Sequence, residues 1–122
     1  MIKDFLIFNF TGEVNKIGLR VSNNFYIHDY NKKTDNDQLV LSVLNMIKKY
    51  KVNIDANFSV LVNSGPGSFS SLRTSIAVAK GIKISNKIKL FGYKNSDLGQ
   101  FNLANIELLI KKKLVQKNLI NP

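Results

Sequence analysis

Gly65-Pro66-Gly67-Ser68-Phe69-Ser70-Ser71-Leu72-Arg73 is the stretch of this chain whose residue types and spacing best suit chemistry. The glycines permit backbone angles that a side chain would penalise, and the proline between them fixes its own φ. Ser68 is placed to cap a following helix by accepting a bond from a free N–H at Ser70 or Ser71. A strand that turns through such a corner into a helix exposes amides able to hold a phosphate or a carboxylate. The same residues also suit a plainer purpose, a tight corner that lets helix and sheet pack closely. Arg73 reads as a surface cation, or as a brace for the loop or for a carboxylate on a partner.

The corner is not a Walker A loop, because no Gly-Lys-Ser/Thr ending follows, and its glycine spacing is not that of a dinucleotide fingerprint. Ser64 and Ser68 lack the Gly-x-Ser-x-Gly elbow, and no histidine follows them in the chain. Asp4, Asp29, Asp35, Asp37, Asp55, Asp97 and Glu107 show no catalytic or metal-ligand spacing and read as solvated, capping or turn-forming. With no cysteine and only His28, thiolate chemistry and a histidine cluster are excluded. No catalytic, cofactor-binding or metal-binding residue is therefore assigned, and an enzyme acting alone is not expected.

The elements that must position the corner can be read from hydrophobic patterning. Phe5-Leu6-Ile7-Phe8, Ile17–Val21 and Phe25–Tyr30 predict three strands joined by short turns, an antiparallel meander. Leu39, Val43, Met46, Ile47 and Tyr50 recur at helical spacing, with Val40 and Leu44 widening the stripe. Asp35 and Asp37 near its start and Lys48, Lys49 and Lys51 at its end suit the helix dipole. Phe58–Val62 predicts the strand entering the corner, and Phe69, Leu72, Ile76 and Ala79 mark the helix leaving it, weakened near its end by Gly81. Lys87–Phe91 predicts a fifth strand, Ser96-Asp97 a helix start, and Leu103, Ile106, Ile110 and Leu114 a basic terminal helix. No further strand or helix is expected before Pro122.

At 122 residues the chain is sized for one domain, and its 44% hydrophobic content is that of a globular protein. No stretch reaches transmembrane length, and the opening segment lacks the features of a signal peptide, so a cytoplasmic protein without a membrane partner is expected. The formal charge is +10 and uneven. Residues 61–122 hold ten basic against two acidic side chains, whereas residues 1–60 hold eight against six. That asymmetry suits nucleic acid or an acidic protein face. Arginine is present only at 20 and 73, however, and little aromatic interleaving accompanies the lysines. The lysine-rich terminal helix reads as a solvated face rather than a membrane-surface helix.

The segment GPGSFSSLRTSIAVAKGI resembles the Gly-Pro-Gly-Ser-Phe-Thr-Gly-Leu-Arg motif of the TsaB (YeaZ) family, with Ser70 and Ser71 where that family usually has Thr and Gly. Lys80-Gly81 matches the end of the family's helix, FLIFNFTGEVNKIGL its opening strand and hairpin, and VLVNSGPGSF the strand entering the motif. Gly92–Leu98 is a looser match. The resemblance implies an α/β fold: a single ASKHA (actin/ribonuclease H-like) lobe with a five-stranded mixed sheet in the order β-β-β-α-β-α-β-α. Residues 1–100 would form the lobe, and 101–122 a basic helix or tail packed on it or extending from it. Gly65, Pro66, Gly67, Ser68, Phe69, Arg73 and Gly81 are the motif positions.

Members of this family, formerly grouped with peptidase M22 glycoproteases, are pseudo-enzymes. They partner a TsaD protein in making threonylcarbamoyladenosine at position 37 of tRNA, with a TsaE ATPase in the bacterial assembly. The resemblance thus implies a non-catalytic scaffold with no cofactor of its own. Its partner would be a TsaD-like protein, a second copy of itself, or both, and direct tRNA contact is left open. The family's interface helices correspond to Asp37–Tyr50 and Ser68–Gly81, with Leu39, Val43, Met46, Phe69, Leu72, Ile76 and Lys80 as interface candidates. Two departures stand out. Asn9-Phe10 replaces the family's first-strand Asp-Thr, a neutral amide where a carboxylate would hold a metal ion or water, and a bulky ring that leaves less room at the turn. The second is length: ordinary members continue into a second α/β lobe, which is not expected within these 122 residues. The alternatives are a small basic nucleic-acid-binding module, or a degenerate homologue with a different protein partner.

Overall fold

Every residue of Phe5–Phe10 except Asn9 is buried, as a strand covered on both faces requires. This strand, β1, is the middle of the sheet in a computed structural model that describes residues 2–11, 15–30, 36–66 and 70–120. β2 (Asn15–Val21) and β3 (Asn24–Asp29) follow antiparallel, joined by a two-residue turn in which Ser22 and Asn23 both take positive φ, 51° and 65°. That geometry matches the right-handed twist of a hairpin. Helix α1 (Asn36–Lys49) leads to β4 (Ser59–Asn63), α2 (Ser70–Asn86) to β5 (Lys89–Tyr93), and α3 (Leu103–Lys111) closes the series. The sheet order is β3-β2-β1-β4-β5, with β1, β4 and β5 parallel, so the expected five-stranded mixed sheet is present.

Alternation along β1 divides the interior. Leu6, Phe8 and Phe10 point under α1 and α2, where they meet Leu39, Val43, Met46, Val78 and Ala79. Phe5 and Ile7 point the other way, to Tyr93 and to Ile106 and Leu109 of α3. α3 is therefore packed on the sheet. No helix among the described residues is long and apolar enough to cross a membrane.

Three boundaries differ from the sequence expectation. α2 runs through Gly81 to Asn86 and stops where Lys87 takes φ 55° with its N–H bonded to the Lys83 carbonyl. Gly81 costs about 1 kcal/mol of helix propensity, which the packing of Val78, Ala79 and Ile82 on the core offsets. Ser96-Asp97 lies in a single 3-10 turn, and α3 starts only after Asn102, whose side chain accepts from the Asn105 N–H at 2.8 Å. Beyond α3 the chain still has order: Gln116 exchanges two backbone bonds of 2.9 Å with Gly92, and Lys117–Leu119 form a 3-10 turn. A Cβ on Gly92 would sit 2.8 Å from Ile120 Cδ1 and 3.0 Å from Leu119 Cβ, so a side chain there would force this segment to shift on β5.

Candidate functional site

β1, β4 and β5 are parallel, so their C-terminal ends share one edge of the sheet, the place where open α/β sheets hold ligands. Asn63, the last residue of β4, is fully buried there. Its Nδ2 donates to Asn9 Oδ1 at 2.9 Å and to Asn95 Oδ1 at 3.0 Å, while its Oδ1 accepts the Gly65 N–H at 2.9 Å. One amide thereby ties the ends of β1 and β4 to the turn after β5. The Tyr93 hydroxyl lies 2.8 Å from Asn9 Oδ1 and 3.2 Å from the Phe8 carbonyl, both acceptors for its proton. Ser64 donates through both its N–H and its Oγ to the Tyr93 carbonyl, each at 2.9 Å, and Asn95 N–H donates to the Gly65 carbonyl at 2.8 Å.

This cluster holds no ionised side chain. Burial pushes the Tyr93 phenol well above its ordinary pKa of 10.0, so it stays a neutral hydroxyl. The arrangement can offer neutral donors and acceptors to a polar group at the sheet edge, and its groups are already bonded to one another. Phe10 is fully buried and stacks on Tyr30 with ring centroids 5.8 Å apart, while the turn beyond it, residues 12–14, lies outside the described residues. Among the described residues no group of three His, Asp or Glu is placed to hold a metal ion. Asp29 pairs with Lys16 at 2.6 Å, and Asp55 accepts the Asn57 N–H at 2.8 Å.

The corner is only partly within the described residues. Gly65 is buried with φ 91°, a conformation that favours glycine, and the Gly65–Pro66 peptide is cis. Gly67, Ser68 and Phe69 lie outside the described residues, and with them the expected Ser68 cap and one interface candidate. Arg73 is exposed and forms no ion pair among the described residues.

The remaining interface candidates need correction. Leu39, Val43, Met46 and Leu72 are buried at 5% exposure or less, and the first three pack in the core over the sheet. Leu39, Met46 and Leu72 belong to this chain's own core, whereas Val43, though nearly buried, also lines the groove between the two helices. Ile76 is half-buried against that core, and Lys80 is half-buried. What the two helices present outward is a different apolar set: Val40, Leu41 at 59% exposure, Leu44 at 55%, and Ile84 at 82%. Between the helices runs a groove of about 550 Å³ whose lining includes Val40, Leu44, Ile47, Ala77, Gly81 and Ile82. Gly81 forms part of its floor, and a Cβ there would meet nothing within 4 Å. The signal was present in the sequence, since Val40 and Leu44 make the apolar arc wider than one packing face needs.

No protein-family profile and no curated protein matches this sequence. Its fold does match solved structures. One is an uncharacterized Pseudomonas aeruginosa protein with similarity to peptidase YeaZ, with a TM-score of 0.66 and 17% identity over 76% of this chain and 44% of the other. YeaZ from Pseudomonas aeruginosa gives a TM-score of 0.63 and 19% identity over 80% of this chain and 45% of its own. The likeness is one of fold, and the matched part is less than half of each of those proteins.

Proposed function

We propose that this chain is a non-catalytic partner protein of the TsaB type, acting beside a TsaD-like protein, and a TsaE-like ATPase, in tRNA threonylcarbamoyladenosine modification. It docks through the outer face of α1 and α2, onto the TsaD-like protein or onto a second copy of itself. The observation that carries this reading is the apolar groove between the helices, flanked by Leu41, Leu44 and Ile84 in water. Exposed apolar surface of this kind is costly to maintain unless a partner covers it, and a groove between two helices suits the apolar ridge of a third. The tRNA-modification setting rests on the resemblance of the 65–81 segment together with the YeaZ-like fold.

The test is association with the cognate TsaD-like protein, measured by light scattering on the full chain and on Gly81→Leu. Leucine fills the groove from a position with open space around it, so the melting temperature should hold. Affinity for the partner, or for a second copy, should fall about tenfold or more. A chain that stays monomeric at high concentration and ignores the TsaD-like protein overturns the proposal.

A further inference from the structure

A second groove, of about 680 Å³, lies on the opposite face of the sheet, where β1, β4 and β5 begin and α3 ends. Its floor is apolar, with Ile2, Phe91, Ile110 and Val115 among the lining side chains. Its rim is cationic: Lys3, Arg20, Lys89, Lys111 and Lys113 converge on it from the N-terminal segment, β2, β5 and the end of α3. The one carboxylate in the lining is Glu107. Among the described residues none of the five cations forms an ion pair. Like charges gathered around one groove repel each other and raise the local concentration of negative ligands. The fold does not need them there, since α3 is held by Ile106 and Leu109 beneath.

We propose that this groove docks an acidic amphipathic segment of a partner protein, its apolar side chains on the floor and its carboxylates against the rim. Both halves of the site ask for that chemistry: an apolar floor alone would take any hydrophobe, and a cationic rim alone any anion. A second copy of this chain is a poor occupant, because residues 61–122 contain only Asp97 and Glu107 as acids and the whole chain carries +10. Single-stranded nucleic acid is the weaker reading. Such sites stack successive bases on several aromatic faces, whereas this floor is mostly aliphatic. Its Phe91 ring already lies 5.9 Å from the Lys117 ammonium, and Glu107 would face the phosphates.

The experiment titrates the isotopically labelled full chain with a synthetic amphipathic peptide, leucines at i, i+3, i+4 and i+7 and glutamates between them. A glutamine-for-glutamate version and a uridine-rich single-stranded RNA are run in parallel. The acidic peptide should shift the amide signals of Lys89, Phe91, Ile110 and Val115. Charge reversal at two exposed positions, Lys111→Glu with Lys113→Glu, should weaken binding about tenfold or more, as should raised salt. The glutamine peptide should bind more weakly, and Gly81→Leu, on the other face, should bind like the unaltered chain. The reversed variant should keep its melting temperature, which separates lost binding from lost fold. Absence of shifts around the groove, or equal affinity of the reversed variant, overturns the proposal. Tighter binding of the RNA at the same residues overturns it in favour of a nucleic-acid groove.

Discussion

The sheet face under α1 and α2 and the face under α3 are built from alternate residues of the same strands, yet they end in opposite surfaces. Among the described residues the first gathers sixteen buried side chains into its core and then leaves Leu41, Leu44 and Ile84 in water. The second buries six, under a helix of nine residues, and finishes in lysines. In neither case does packing account for the outermost layer. α1 carries more apolar residues than the sheet can cover, and the α3 side carries more cations than the local acids can balance. Core burial decides where each helix sits, but what it shows the solvent is set independently, and here the two faces suit partners of different chemistry.

The largest expected effects test whether the two faces form one unit. Phe8→Ala in the larger core should cost about 3–5 kcal/mol, and Ile106→Ala in the smaller about 2–5 kcal/mol. If the faces are cooperative, denaturant unfolding of either variant followed by near- and far-ultraviolet circular dichroism gives one coincident transition. Separate transitions for Ile106→Ala would make the α3 side an independently fraying layer and break the comparison.

A smaller effect is expected between the faces, at the sheet edge. Asn63→Ala removes three hydrogen bonds and strands the Gly65 N–H, at a cost of about 1–3 kcal/mol. An unchanged urea midpoint would mean that the amide does not tie the strand ends together. The smallest concerns Tyr93. Its phenol is held neutral in the folded chain and ionises near 10.0 once unfolded, so the unfolded state releases that proton first as pH rises. This contribution to stability is constant below pH 10.0 and declines above it. Comparing alkaline melting curves of the unaltered chain and Tyr93→Phe should show a shallower decline in the variant.

The strands and the first two helices were legible because the sheet's interior residues are apolar in the right period, as in Phe5–Phe8 and in Leu39, Val43 and Met46. The same periodicity misled the interface assignment. A stripe at helical spacing marks the side that packs, so most of what it picks out faces the sheet, although Val43 and Ile47 at its margin also line the groove. The outward groove had to come from the excess, Val40 and Leu44, whose role depends on how far α2 extends. That extent was misjudged at Gly81, where local propensity is overridden by contacts on the far side of the helix. The asparagine cluster left no readable trace, since Asn63 lies 54 residues from Asn9 and 32 from Asn95, and asparagine is an ordinary turn residue at any one of the three positions.

The bridge between Gly92 and Gln116 bears on how copies of this chain can grow. Fibres and ribbons built by strand addition need two open edges on every subunit, one to give and one to receive. At Gly92 both backbone groups that a newcomer would use on β5 are already bonded to the chain's own tail. The other edge is β3, and two molecules meeting there by a twofold axis leave nothing for a third. A strand adding to β5 must stop short of Gly92 or displace the segment around Gln116, and loosening that segment should lengthen the edge open to addition.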